Sequence, residues 1–331
     1  MHPRLLTNLI DPKSGQPLTL TSPVPSPSEI EQGTLVASTG HSFPILHGIP
    51  RFVPASNYAS SFGYQWNKYA ELQLDSKNGT TFSEDRFFSI TEWSKADLLG
   101  ARVLDVGCGA GRFSEVVLRA GAHVVAVDLS QAVEACRKNL RSHANLDVVQ
   151  ASIYELPFRP GSFDFVYCIG VVQHTPDPKQ SVLAIARMVR PGGRLGFWIY
   201  ERDWKSYLGT IGFKYLLRPW TTSLTRDQVE RFCNLLESFC WPINRVARKC
   251  GWLGKVVMRL LPVASAYLQE VPLSDHDFRE WVRLDTFDMY SPAHDQPQKF
   301  NAVAQWLREA GFIVDPRHPH GGISLTARRP L

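Results

Sequence analysis

From Ala101 onward the chain alternates short apolar runs with segments of helical spacing. ARVLDV, AHVVAVD, LDVVQA, FDFVYCIG and GRLGFWIY are brief, rich in β-branched or aromatic side chains, and read as buried strands. Between them, GRFSEVVLRAG reads as a helix closing on Gly121. A second helix starts with Ser130 as N-cap and runs to about Arg141, and a third, KQSVLAIARMVR, stops at PGG. Such alternation requires parallel strands with right-handed crossovers, hence an α/β doubly wound sheet. The pattern breaks after Tyr200 for roughly ninety residues of helix-like segments divided by Pro and Gly. It resumes with NAVAQWLREAGF, a helix ending at Gly311, and two last strands, FIVD and ISLTAR.

Upstream of Ala101 the pattern differs. Residues 1–54 carry the Pro- and Ser-crowded TSPVPSPS, with Thr34–Ala37 and Ser42–Leu46 reading as hairpin-like strands. Residues 55–99 look helical and aromatic. The expected organisation is a small β module over 1–54, a sheet domain over 55–200 and 297–331, and a helical insertion over 201–296.

Composition narrows the class. The 331 residues are 44% hydrophobic and 20% charged, as in a globular protein with a full core. No run of eighteen apolar residues occurs, and the N-terminal stretch lacks a secretory pattern, so a cytoplasmic protein is expected. The six cysteines form no CxxC pair and read as scattered reduced thiols, with no metal site expected. A net charge of +5 is too mild to argue for nucleic acid as a partner.

The stretch VLDVGCGAGRF is the most informative. A strand ending at Asp105, then Gly107, Gly109 and Gly111, then a helix, make a nucleotide-binding turn at the carboxyl end of a sheet. A dinucleotide site needs GxGxxG; here the third glycine comes one residue early. Asp105 would repel a pyrophosphate but suit an ammonium group, and Asp128, closing the second strand, can hold both ribose hydroxyls. These features fit a nucleoside with an amino-acid tail, which is S-adenosylmethionine.

VLDVGCGAGRF, AVDLS and FDFVYCIGVVQHTPDP…VRPGGRL resemble the class I S-adenosylmethionine-dependent methyltransferases over about residues 60–200 and 297–328. The resemblance implies a Rossmann-like, mostly parallel seven-stranded sheet and S-adenosylmethionine as cofactor. It puts the backbone of Gly107, Cys108 and Gly109 against the methionine part, Asp128 on the ribose, and Leu129 beside the adenine. Where the family often has an adenine-binding Asp, this chain has Ser152, with the Ile153 N–H nearby. Ile169 and Gly170 would line the methionine side. FGYQW and EDRFF resemble the lead-in helices of a bacterial subgroup, making Gln65 and Arg86 candidates for the cofactor carboxylate.

Methyl transfer from a sulfonium mostly needs alignment, plus a base where the acceptor is a hydroxyl. His174, after the fourth strand, is the candidate base; Gln173 stands where the subgroup commonly has a first histidine. Tyr200 and Tyr290 are further candidates for the acceptor side. No carboxylate cluster has metal-ligand spacing, so metal-independent chemistry is expected.

The N-terminal piece, with FPILHGIP, resembles a small zinc-ribbon-type module that partners methyltransferases. DPKS, Asp11 to Ser14, stands where that module has its first cysteine knuckle, so a metal-free version is expected. Within 202–259 there are eleven Lys or Arg and four Asp or Glu, mixed with aromatic-rich stretches. That pattern suits a helical cap over the acceptor, the preferred reading, and also a surface lying peripherally on an anionic membrane. The leading expectation is methyl transfer to O or N of a small molecule, with anionic or amphipathic acceptors among the candidates. A non-catalytic S-adenosylmethionine-binding scaffold and an NAD-dependent oxidoreductase are the alternatives; the early third glycine and Asp105 oppose the latter.

Overall fold

A computed structural model of the chain describes residues 1–21, 29–54, 57–202, 209–317 and 322–331. Seven strands form the central sheet: β1 Arg102–Val106, β2 His123–Asp128, β3 Leu146–Gln150, β4 Phe163–Ile169, β5 Val189–Ile199, β6 Ile313–Val314 and β7 Ile323–Arg328. Their spatial order is β3-β2-β1-β4-β5-β7-β6. The first five run parallel, while β7 pairs antiparallel with both β5 and β6. The order reverses at β1 and β4, and the loops after these two strands part there to leave a crevice.

Both faces of the sheet are covered, which is why its strands read as continuous apolar runs. In β1, Val103 packs into the core on one face, and Leu104 and Val106 into the core on the other. Helices α1 Ser60–Lys68, α2 Phe82–Thr91, α3 Arg112–Arg119, α4 Ala132–Leu140, α5 Pro178–Ala186 and α10 Phe300–Glu309 belong to this layer. Asp177 caps α5 by accepting from the Gln180 N–H at 3.0 Å, with Pro178 in the first turn where its missing N–H costs nothing.

Two helix boundaries differ from the sequence pattern. α5 stops at Ala186 although the apolar run continues, because the Met188 carbonyl accepts from Phe163 N–H and Val189 opens β5. α4 opens at Ala132, since the Ser130 hydroxyl is committed to Asp128 at 2.7 Å while accepting from the Ala132 N–H at 3.1 Å.

Among the described residues, the segment after β5 supplies four α-helices: α6 Thr210–Thr221, α7 Arg226–Ala247, α8 Gly251–Arg259 and α9 Asp275–Tyr290. Thr225 and Gln228 form a reciprocal capping box at the start of α7. Trp281 and Phe278 of α9 are fully buried in a core of their own with Met258 and Leu268.

At the N-terminus, Leu18–Thr21, Gly33–Ala37, Ser42–Leu46 and Ile49–Pro50 form an antiparallel four-stranded sheet. The expected hairpin is its middle pair; most of TSPVPSPS lies outside the described residues. Asp11, fully buried, accepts from His41 Nδ1 at 2.8 Å and Thr39 Oγ1 at 3.2 Å, and Ser14 also donates to it. This cluster ties the Asp11–Ser14 turn to the 39–41 turn. Arg51 bridges to Gln150 of β3, joining the small sheet to the large one. Among the described residues no helix is long and apolar enough to cross a membrane.

Candidate active site

The crevice at the strand ends opens into a cavity of about 810 Å³. Its floor is the loop after β1. Gly107 sits at φ +84°, and a Cβ there would lie 2.3 Å from a Val171 methyl, so glycine alone fits both the turn and the space. A Cβ on Gly109 would press on the Trp66 ring at 3.2 Å, which leaves the Gly107–Gly109 backbone as cavity wall.

Asp128, at the end of β2, lies on the same wall. Its Oδ2 accepts from the Gly109 N–H at 3.0 Å, and its Oδ1 accepts from the Ser130 N–H at 2.8 Å. The carboxylate therefore holds the glycine loop in shape while it faces the cavity. Burial raises its pKa, and the hydrogen bonds from Ser130 and Gly109 oppose that rise. Cys108, Leu129, Ile153, Ile169 and Gly170 also line the cavity.

One end of the cavity is charged. Arg86 of α2 stacks on Trp198, its guanidinium 4.5 Å from the ring centre. Arg112, the residue after the glycine loop, lies over three rings, 4.9 Å from the Phe113 centre and 5.4 Å from those of Phe82 and Trp281. Its Nε donates to Ser83 Oγ at 2.9 Å and Nη1 to Gln73 Oε1 at 3.2 Å, while its buried Nη2 has no protein partner. Burial lowers the pKa of both arginines, and each faces Asp285 of α9, whose own pKa is raised by burial and by Asp288. Two guanidiniums and two carboxylates around one space match a zwitterion, which presents both a carboxylate and an ammonium.

At the other end, His174 sits between Phe62 and Tyr200, ring centres 5.3 Å and 5.4 Å away. Its Nδ1 is 3.0 Å from the His294 carbonyl. A carbonyl can only accept, so Nδ1 carries the proton and Nε2 keeps a lone pair. Nε2 is buried and has no protein partner. Burial lowers the His174 pKa, favouring the neutral ring. Tyr200 lies on the wall and its hydroxyl donates to Asp288 at 3.4 Å. Lys214 of α6 reaches in from the insertion and pairs with Asp295 at 2.8 Å, both almost fully buried.

Six sequence candidates lie off this wall. Asp105 is buried behind the loop, where Ser114 Oγ donates to it at 2.6 Å and burial pushes its pKa up to about 7. Gly111 packs on α4, where a Cβ would meet Leu140 at 2.7 Å and Cys136 at 3.2 Å. The Ser152 hydroxyl turns back to accept from the Tyr154 N–H at 3.3 Å. Gln65 stands one layer behind the wall, donating to Asp288 at 3.2 Å. Gln173 is fully buried. Tyr290 anchors the insertion core, donating to the Pro262 carbonyl at 3.0 Å. Conversely, Arg112, Lys214, Asp285 and Asp288 were not singled out from the sequence. Only Arg112 had a local signal, its place directly after the glycines.

Residues 104–197 match a family described as a methyltransferase domain. The ubiquinone biosynthesis O-methyltransferase of Aromatoleum aromaticum is 42% identical over 180 residues, covering 53% of this chain and 73% of that protein. The enzyme of the same name from Ralstonia nicotianae is 42% identical over 128 residues, 38% of this chain and 54% of that protein. The chain thus spans little more than half of the second relative's length. A solved S-adenosylmethionine-dependent methyltransferase from Aquifex aeolicus aligns over 82% of this chain and 96% of its own, at 11% identity and a TM-score of 0.40. With this kinship, and a cavity whose glycine loop, Asp128 and paired arginines fit a zwitterionic nucleoside, the chain belongs to the class I S-adenosylmethionine-dependent methyltransferases.

Proposed function

We propose that the protein is an O-methyltransferase acting on a ring hydroxyl of a small aromatic acceptor, with His174 as general base. The observation that carries this reading is the His174 imidazole: neutral, with Nδ1 engaged by the His294 carbonyl and the Nε2 lone pair left unpartnered beside the cavity. Its neighbours are aromatic, and its relatives are named O-methyltransferases of ubiquinone biosynthesis, which supports a phenol- or quinol-like ring.

In this reading the Gly107–Gly109 backbone and Asp128 hold the methionine part and the ribose, with Leu129 and Ile153 beside the adenine. Arg86 and Arg112 receive the carboxylate, the unpartnered Arg112 Nη2 included. Bound S-adenosylmethionine supplies an electrophilic methyl group on a sulfonium. His174 Nε2 takes the hydroxyl proton as the acceptor oxygen becomes a nucleophile, and Phe62 and Tyr200 keep the imidazole upright. The helical segment 201–296 serves as acceptor cap, contributing Lys214, Asp285 and Asp288 to the wall.

The test pairs calorimetric titration with S-adenosylhomocysteine, with NAD alongside, and labelled-methyl transfer to a panel of phenols. His174→Ala should cut kcat by about a hundredfold or more while leaving S-adenosylhomocysteine affinity unchanged. Turnover within about threefold of wild type would exclude His174 as the base. Binding of NAD alone would overturn the cofactor assignment.

A further inference from the structure

Helices α7 and α8 expose apolar side chains that the fold leaves uncovered. On α7, Leu235, Phe239 and Val246 recur at four- and seven-residue spacing, hence along one stripe; Leu235 is 72% exposed and Phe239 80%. On α8, Gly254 and Met258 are buried, while Trp252, 73% exposed, and Leu253 face out, as does Leu260 just past its end. Single exposed leucines need no explanation, but several large apolar side chains exposed on two packed helices do.

These helices are held firmly together. A Cβ on Gly254 would lie 1.8 Å from the Ala247 carbonyl oxygen, so α8 crosses close against the end of α7. Gln269 Nε2 donates to both the Ala247 and Gly251 carbonyls, at 3.2 Å and 2.6 Å.

The charge around the patch is one-sided. From Arg231 to Leu260 the chain has six Lys or Arg and a single acid, Glu237. Glu237 is buried under Arg279 and Arg283, at 2.9 Å and 3.0 Å. Arg245 and Arg248 share Asp275, and Lys255 meets Glu270. Arg231, Lys249 and Arg259 have no carboxylate partner among the described residues. The patch also adjoins the cavity: Lys255 and Arg259 of α8 line it, while Trp252 on the same helix faces solvent.

We propose that the α7–α8 face is a docking surface for an anionic lipid bilayer. The apolar stripe enters the headgroup boundary, the flanking cations meet lipid phosphates, and the cavity rim is set against the interface. A second copy of the chain suits this face poorly, because pairing it with itself would set cation against cation. The proposal is independent of which acceptor is methylated.

The experiment is co-sedimentation of the full chain with phosphatidylcholine vesicles, and with vesicles containing phosphatidylglycerol as well, at low and high salt. Binding to the phosphatidylglycerol vesicles, weakened by salt, is expected. Phe239→Asp and Trp252→Asp should each weaken it about tenfold, and Lys249→Glu should weaken it selectively on anionic vesicles. All three positions are exposed, so melting temperature and S-adenosylhomocysteine affinity should stay at wild-type values. Absence of vesicle binding, or binding indifferent to all three variants, would overturn the proposal. So would a dimer in sedimentation velocity that Phe239→Asp dissociates while no vesicle binding occurs, which would assign the face to a second copy.

Discussion

Replacing Lys214 by methionine tests the buried ion pair that ties α6 to the 291–296 end of the same segment, beside Tyr200 and His174. Lys214 Nζ lies 2.8 Å from Asp295 Oδ2, with side-chain exposures of 2% and 1%. The ammonium also sits 4.8 Å from the centre of the Tyr200 ring. Were this pair solvated, its loss would cost about 0–1 kcal/mol. Buried as it is, Lys214→Met keeps the aliphatic stem but strands the Asp295 carboxylate, and the cost should be about 3–5 kcal/mol. The double variant Lys214→Met/Asp295→Leu removes both charges and should recover most of that loss, since a desolvated pair and an apolar pair of similar volume are close in stability. Urea unfolding of wild type, both single variants and the double variant gives the coupling directly. Asp295 also lies 4.0 Å from His174 Nδ1, so the single variant should disturb the imidazole as well. If both single variants cost under about 1 kcal/mol, or if their costs simply add, the pair is not a desolvated lock and the reasoning fails.

Other consequences follow from local geometry. Gly107→Ala forces a Cβ to within 2.3 Å of Val171 at φ +84°, and calorimetry should show S-adenosylhomocysteine affinity down at least about tenfold. Adding Val171→Ala should restore part of it, because the backbone strain remains; wild-type affinity in the single variant would refute the close fit. The pH dependence of kcat/KM should show an acid limb below 6.5, because burial lowers the His174 pKa and the neutral, base-competent ring persists to lower pH. A limb at or above 6.5 would count against His174 as the titrating base. Burial pushes the Asp11 carboxyl up, but the hydrogen bonds from Ser14 and His41 outweigh it and hold the pKa below the usual 3.8. Its contribution is therefore complete above the unfolded value and lost as pH falls through the folded one. Asp11→Asn should destabilise the N-terminal sheet by about 1.5–3 kcal/mol at neutral pH and flatten the acid dependence, as read by hydrogen exchange within residues 1–54.

The sheet domain was legible because its signals are local. An apolar run of a few residues, a glycine turn and a helical repeat each specify their own geometry, and crossover handedness then leaves few topologies for parallel strands. The glycine loop and Asp128 belong to this class, since one strand end and its turn place each of them. Other residues are placed by packing. Asp105 looked like a ligand group from its position, yet β1 turns its carboxylate toward Ser114 behind the loop. Tyr290 looked like a cavity residue, but α9 turns it into the insertion core.

What the sequence by itself determined is the cofactor class and the sheet that carries it. Only the tertiary structure decided which side chains meet at the cavity's charged end and around His174. Lys214, Asp285 and Asp288 lie on helices more than eighty residues beyond the glycine loop, and no spacing rule links them to it. They meet Arg86, Arg112 and His174 because α6 and α9 fold back over the strand ends, where burying their apolar faces also brings their charges into one space. The same folding leaves the outer stripe of α7 and α8 uncovered, a property of which face was buried and so invisible in composition alone.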